Sequence, residues 1–239
     1  MIDKHMLKLR ARDDISEPEE RALRAAVAEY RDVPADMTIV REGQLLSVSL
    51  LLIEGLMCRY KDLRDGQRQI TELHVAGDFA DLHSFTLKRL DHNILTMTPC
   101  RLAIVPHAAL TEITELHPHL TRVLWFSTNL DAAIHREWEL SLGRRSAAAR
   151  AAHLFCELHA RLGIVELANG NDFELPLTQI DLAECLGLTP VHVNRTLKEL
   201  RENGLVSFRS GQVSIKNLSG LQKLAEFNPS YLYLDKIAR

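Results

Sequence analysis

Hydrophobic residues along the first half of the chain fall in short runs and alternations, with little of the three-to-four spacing of a helix. The segments 37–41 (MTIVR), 48–54 (VSLLLIE), 56–62 (LMCRYKD), 69–75 (QITELHV), 94–97 (ILTM) and 101–106 (RLAIVP) combine β-branched and large apolar side chains, as strands do. Glycines punctuate them at Gly43, Gly55, Gly66 and Gly77, with spacings of 12, 11 and 11 residues. That rhythm predicts short strands joined by tight turns in an antiparallel β-roll or jelly roll. Ahead of them, Ser16-Glu17-Pro18-Glu19 has the Ser and Glu of a capping box and predicts a short helix from Glu19 to about Tyr30.

The periodicity changes near residue 118. Across 118–143, Leu120, Val123, Ser127, Leu130, Ile134 and Glu137 recur at alternating spacings of three and four, and Leu124 and Trp138 widen the stripe. Pro118 can open this helix and Gly143 can end it. So long an apolar seam needs a cover. Its own roll, a partner helix across a two-fold axis, or both could supply it, because the stripe is wide. The alanine-rich stretch 146–162 predicts a further helix, followed by a loop at Gly170-Asn171-Asp172.

Two capped helices come next. Thr178 caps the first, with Asp181 at the capping-box position; Ile180, Leu182, Ala183 and Leu186 supply an apolar face, and Gly187 ends it. Only Leu188 separates it from Thr189, which caps the second helix; Pro190 takes the first helical position and Asn203-Gly204 the end. Two helices around a tight glycine turn make a helix-turn-helix. Residues 205–215 (LVSFRSGQVSI) predict a hairpin turning at Ser210-Gly211, a wing, and Leu218 to Phe227 one more short helix. The expected fold class is therefore α+β. Its parts are an effector-type roll over 16–117, a dimerisation helix over 118–143, a winged helix-turn-helix over 144–217, and a terminal helix and tail over 218–239.

Composition narrows the partners. The 239 residues suffice for one large or two ordinary domains, and the net charge of −3 excludes a uniformly basic nucleic-acid coat. Any DNA contact must come from a local patch. Between 189 and 216, Arg195, Lys198, Arg201, Arg209 and Lys216 stand against Glu199 and Glu202, a local charge of +3. In the second capped helix Val193, Leu197 and Leu200 share the face that would hold the domain. Val191, His192, Asn194, Arg195 and Lys198 lie mostly on the other. Major-groove chemistry assigns base contacts to Arg195 (guanine O6 and N7), Asn194 (adenine) and Val191 (a thymine methyl). Thr178, Gln179, Thr189, His192, Lys198 and Arg209 suit phosphates.

Other classes recede. No apolar run approaches the ~18 residues of a membrane span, and MIDKHMLKLRARDD lacks the apolar core of a signal peptide, so a cytoplasmic address is expected. Cys58, Cys100, Cys156 and Cys185 lie far apart without a C-x-x-C pair, as buried apolar thiols would. No nucleophile elbow, phosphate-cradling glycine loop or zincin motif suggests an enzyme. One other class stays open: a small-ligand binding protein whose helical C-terminal domain docks another protein.

Four stretches together resemble the CRP/FNR superfamily of bacterial transcription regulators: VREGQ (40–44), AGDF (76–79), the long middle helix, and LTQIDLAECLGLTPVHVNRTLKELRENGLV (177–206). The resemblance covers roughly residues 16 to 228 and is most specific in the last stretch. It implies a cyclic-nucleotide-type roll, a long dimerisation helix, and a homodimer that binds palindromic double-stranded DNA and contacts RNA polymerase under effector control. Arg195 matches the family's base-reading arginine, whereas Val191 stands where the family often has a glutamate, so a TGA-type half-site is not implied. The effector pocket falls on Asp78, Phe79, Asp81, Leu82, His83, His92 and Asn93. In cyclic-AMP-binding members a Gly-Glu pair holds the ribose and an Arg followed by Ser or Thr holds the phosphate. Here the matching regions read Ala80-Asp81-Leu82-His83 and Leu90-Asp91-His92-Asn93, without that arginine. A buried phosphate needs a counter-charge, so cyclic AMP is not the expected effector. No cysteine precedes Cys58, and among candidate haem ligands such as His74 and His83 no spacing singles one out; His117 and His119 in HPH, or Asp131 with His135, could bind metal, but such residues are more often surface or helix-end groups. No cofactor is identified and the effector stays open.

Overall fold

The structure is a computed structural model that describes all 239 residues. The chain divides into two compact units: Met1–Lys61 with Glu72–Ala132 and Tyr233–Arg239, and Asp62–Thr71 with Ala133–Leu232.

In the first unit, helices α1 (Asp3–Arg10) and α2 (Glu17–Ala25) precede strands β1 (Glu29–Val33), β2 (Met37–Val40), β3 (Val48–Glu54), β4 (Leu56–Asp62) and β5 (Arg68–Val75). A one-turn helix α3 (Ser84–Leu87), strands β6 (Asn93–Thr96) and β7 (Cys100–Pro106), and helix α4 (His107–Leu116) lead to the long helix α5 (Pro118–Arg144). Two antiparallel sheets form, in the orders β1-β7-β3 and β2-β6-β4-β5. β3 and β7 are apolar nearly throughout because both of their faces are covered. Leu50, Leu52, Leu102 and Ile104 face Met57 and Ile94 inside the roll. Leu51, Ala103 and Val105 face a second core with Ile2 at the start of α1, Met6 and Leu9 of α1, Leu110 and Ile113 of α4, and Leu120, Val123 and Leu124 of α5.

The second unit holds α6 (Ala147–Ile164), the short strands β8 (Ala168–Asn169) and β9 (Asp172–Glu174), α7 (Gln179–Leu186), α8 (Pro190–Glu202), β10 (Val206–Arg209), β11 (Gln212–Ile215) and α9 (Leu218–Ala225). Its sheet runs β10-β11-β9-β8. Glu157, fully buried on α6, accepts hydrogen bonds from Trp138, Arg161 and Tyr231 and so ties α6 to the second half of α5. No helix is long and apolar enough to cross a membrane, and all four cysteines are buried free thiols.

Several expectations need correction. The first predicted helix starts and ends early: Ser16 and Glu19 form the capping box, but α2 stops at Ala25. Glu29 and Tyr30 instead pair with Ile104 and Ala103, because a ladder with β7 satisfies that backbone better than an unsupported last helical turn. Helices α1 and α4 were not expected, and the 170–172 loop is the turn of a β8–β9 hairpin that extends the wing sheet through Phe173↔Val213. Gly143 lies inside α5, which ends at Arg144. Gly77 illustrates what the glycine rhythm serves: its φ is +91°, and a Cβ there would sit 2.8 Å from the Lys4 carbonyl, so α1 packs against this turn only if the residue is glycine.

Candidate nucleic-acid interface

The helix-turn-helix is fixed by its caps. The Thr178 hydroxyl accepts from the Asp181 N–H (3.1 Å), and the Asp181 carboxylate accepts from the Thr178 N–H (2.7 Å), closing a reciprocal box at the start of α7. Gly187 ends α7 at φ +60°, and a Cβ would meet the Leu142 side chain at 3.1 Å. Arg150 of α6 donates to the Leu186 carbonyl at 2.5 Å, satisfying one of the orphan acceptors of that helix end. Thr189 then accepts from the His192 N–H at 3.3 Å, and Pro190 occupies the first turn of α8, where its missing N–H costs nothing.

These caps set the rotation of α8. Val193, Thr196 and Leu200 are buried and Leu197 half-buried, so the helix is held along one face. Thr196 joins the three apolar residues that spacing alone assigns there. The opposite face is open: His192, Asn194, Arg195 and Lys198 are exposed, and Val191 is 63% exposed, a large apolar side chain left in water. Thr178, Gln179, Thr189 and Arg209 are exposed as well. Ile180, expected on the apolar face of α7, is also exposed, because Leu182, Ala183, Cys185 and Leu186 already fill that contact. In the wing, Ser210 and Gly211 both take positive φ (50° and 73°), the twist a two-residue hairpin needs, with Arg209 next to the tip. All nine residues that sequence assigns to bases or phosphates thus lie at the surface of this unit.

The predicted helix seam fares differently. Leu120 and Val123 are buried in the first unit's own core, and Ile134 is buried within the second; Ser127 and Leu130 are half-buried. As a seam for a partner, Leu120 and Val123 are corrected: their own roll covers them. The exposed stripe is Arg122, Trp125, Asn129, Ala132, Arg136 and Glu139, again at three-four spacing, with Trp125 69% exposed.

Asp78, Phe79 and Leu82 line a small cavity beside α1 and α5. Asp78 pairs with Lys8 and accepts from the Val75 N–H. Asp81 is fully buried, accepting from the Leu50 N–H at 2.6 Å and facing the Ser84 hydroxyl; burial pushes its carboxyl up to about 7. His83 and His92 pack ring to ring at 5.4 Å, and His92 is held below the usual histidine range by burial and by the Arg59 charge. The Asn93 side chain accepts from the Glu42 N–H at 3.0 Å. The polar centre of the roll is built around Arg59, whose charge acts on both Asp81 and His92. Only 2% exposed, it donates to the Ala80 carbonyl, to Glu72 and to Asp131 of α5, each at 2.8 Å. Sequence reading missed this group; its signal was a charged residue in mid-strand at Arg59 and another at Glu72, each inside a run that otherwise reads as a strand.

Comparison with known proteins gives these features a context. Residues 30–117 match the cyclic nucleotide-binding domain, and residues 149–224 match the Crp-like helix-turn-helix domain. A probable transcriptional activator of Rhizobium leguminosarum bv. viciae is 32% identical over 178 residues, covering 74% of this chain and 72% of that protein. The transcriptional activator protein FnrL of Cereibacter sphaeroides is 27% identical over 194 residues, covering 79% and 77%. The structure of FixK2 from Bradyrhizobium japonicum superposes with a TM-score of 0.76 at 26% identity, over 83% of this chain and 97% of that one.

Proposed function

The chain belongs to the CRP/FNR family and is a DNA-binding transcription regulator; from that premise we propose that it acts in the cytoplasm as a homodimer on a two-fold symmetric duplex, under the control of a small-molecule effector. One α8 enters each of two major grooves about one helical turn, roughly 34 Å, apart. Arg195, Asn194 and Val191 meet base edges, and Thr178, Gln179, Thr189, His192, Lys198 and Arg209 meet phosphates. The observation that carries this reading is the exposed, capped face of α8, with Val191, Asn194 and Arg195 in water while Val193 and Leu200 anchor the helix.

Pairing of two copies uses the exposed α5 stripe through Trp125 and Ala132, a heptad-spaced face with an aromatic anchor and a small residue that allows close approach. Relatives are named as transcriptional activators, and RNA polymerase is the partner we extend to this chain. Its work is binding and not catalysis. Selection from random duplexes followed by footprinting tests the proposal. Recovery of a symmetric motif, with affinity falling steeply as salt rises, is the expected result; an asymmetric motif or none counts against it.

A further inference from the structure

We infer that the small cavity between α1, the turn 77–82 and α5 is the effector site, and that it takes an uncharged molecule with an apolar body and one O–H or N–H donor. The inference deepens the reading of the chain as an effector-controlled regulator and rests on it. Its space is about 50 Å³, room for a few water-sized spheres of roughly 10–15 Å³ each. One wall, α1, lies before residue 30, where the match to the cyclic nucleotide-binding domain begins, so the site draws on residues outside that domain.

His5 supplies the polar anchor. It lines the cavity and is 4% exposed. Its Nδ1 lies 2.9 Å from the Gly77 carbonyl oxygen. A carbonyl can only accept, so Nδ1 carries the proton and Nε2 a bare lone pair. Nε2 is buried and has no hydrogen-bond partner. Burial also pushes the imidazole down to about 4, so it stays neutral near pH 7 and cannot turn Nε2 into a donor. A buried acceptor without a donor is costly, and a ligand O–H or N–H repairs it.

The remaining lining sets the charge and the body of the ligand. Lys8 pairs with Asp78, Arg239 with Asp13 (3.6 Å), and Asp131 with Arg59 (2.8 Å). Arg59 lies outside the lining; the lining itself carries three cations (Lys8, Arg12 and Arg239) and three carboxylates (Asp13, Asp78 and Asp131) and sums to zero. An ionised ligand would bring in a charge without a counter-charge, whereas a neutral one leaves the balance untouched. Phe79, Leu82, Val123 and Phe126 provide apolar contact. The Arg239 guanidinium stacks over Phe126 at 3.5 Å, and a larger body takes its place on that ring. Binding there presses on residues 123–131 of α5, the helix that carries the exposed stripe and Asp131.

Phenol and anisole make a matched pair of probes: one ring each, but only phenol can donate. Each is titrated against the full-length protein by ligand-observed NMR, alongside His5→Phe, which keeps a ring against Phe79, and Ser127→Leu, which fills the cavity from α5; melting curves check that both variants fold. We expect phenol to bind the native protein about two- to tenfold tighter than anisole. His5→Phe should erase that difference, and Ser127→Leu should weaken both ligands. Equal binding of the two probes, a phenol advantage that survives His5→Phe, or no binding by either, leaving a space that holds water alone, overturns the inference. DNA binding by the same preparations separates the two levels. Sequence-specific DNA binding without a phenol site defeats only the effector site; specific DNA binding by the native protein that Arg195→Ala leaves unchanged defeats the reading of α8 as the recognition helix.

Discussion

The recognition helix α8 and the long helix α5 are both amphipathic, yet only in α8 do the two faces divide as residue spacing alone suggests. In α8, Val193 and Leu200 turn inward and Asn194 and Arg195 turn out, because Thr189 and Gly187 fix where the helix starts and one small domain supplies its only neighbour. In α5 the apolar stripe is used up from within: Leu120 and Val123 join α1 and α4 in the first unit's core, leaving Arg122, Trp125 and Asn129 in water. Spacing identifies a face; it does not say what covers it. The contrast extends to charge. The polar groups of α8 are solvated, whereas the roll under α5 buries Arg59, Glu72 and Asp81.

The strongest way to break this comparison is to truncate each kind of α5 residue. Leu120→Ala leaves a cavity in a well-packed core and should cost about 2–5 kcal/mol in urea unfolding. Trp125→Ala should change unfolding of the subunit by less than about 0.5 kcal/mol while weakening dimerisation in sedimentation equilibrium. Equal losses of stability would mean that both faces are buried in one subunit.

A second test concerns the buried carboxyl. Asp81 keeps its proton to about pH 7 in the folded chain and loses it near 3.8 when unfolded. The folded state therefore holds the extra proton between these values; stability from this group is complete below about 4 and falls as pH rises to about 7. Asp81→Asn, which keeps an acceptor for the Leu50 N–H, should gain stability relative to the native protein across that window. The gain is a few kcal/mol at most, given about 1.4 kcal/mol per pH unit. Thermal melts at pH 4, 5.5 and 7 measure it, and a constant difference would contradict the account. The smallest effect belongs to the cap: Thr189→Ala should cost about 0.5–2 kcal/mol and loosen the start of α8, read by amide exchange at His192 and Val193.

Much of this architecture is legible in the sequence where the cause is local. Strands β3 and β4 start and end where their apolar runs do, and the caps of α7 and α8 name themselves. What escapes has a tertiary cause. The apolar residues Ile2, at the start of α1, and Met6 and Leu9 within it make sense only against the core they complete. β1, EYRDV, is polar and exists through its ladder to β7. β9 is a strand because β11 offers it an edge. At the candidate interface, residue type and spacing place Asn194 and Arg195 correctly on the open face. The buried group of Arg59, Glu72 and Asp131 escapes the same reasoning, since which polar side chain reaches which depends on how the strands fold back.

Binding of the native protein and of Arg195→Ala to a panel of operator duplexes, each with one symmetric base-pair change, tests the central claim most directly. The account predicts that Arg195→Ala costs about 1–3 kcal/mol and that the penalty for changing one particular base pair disappears, while Lys198→Ala weakens all duplexes alike and lowers the salt dependence. A loss that is uniform across the panel for Arg195→Ala would contradict the assignment of α8 to the bases.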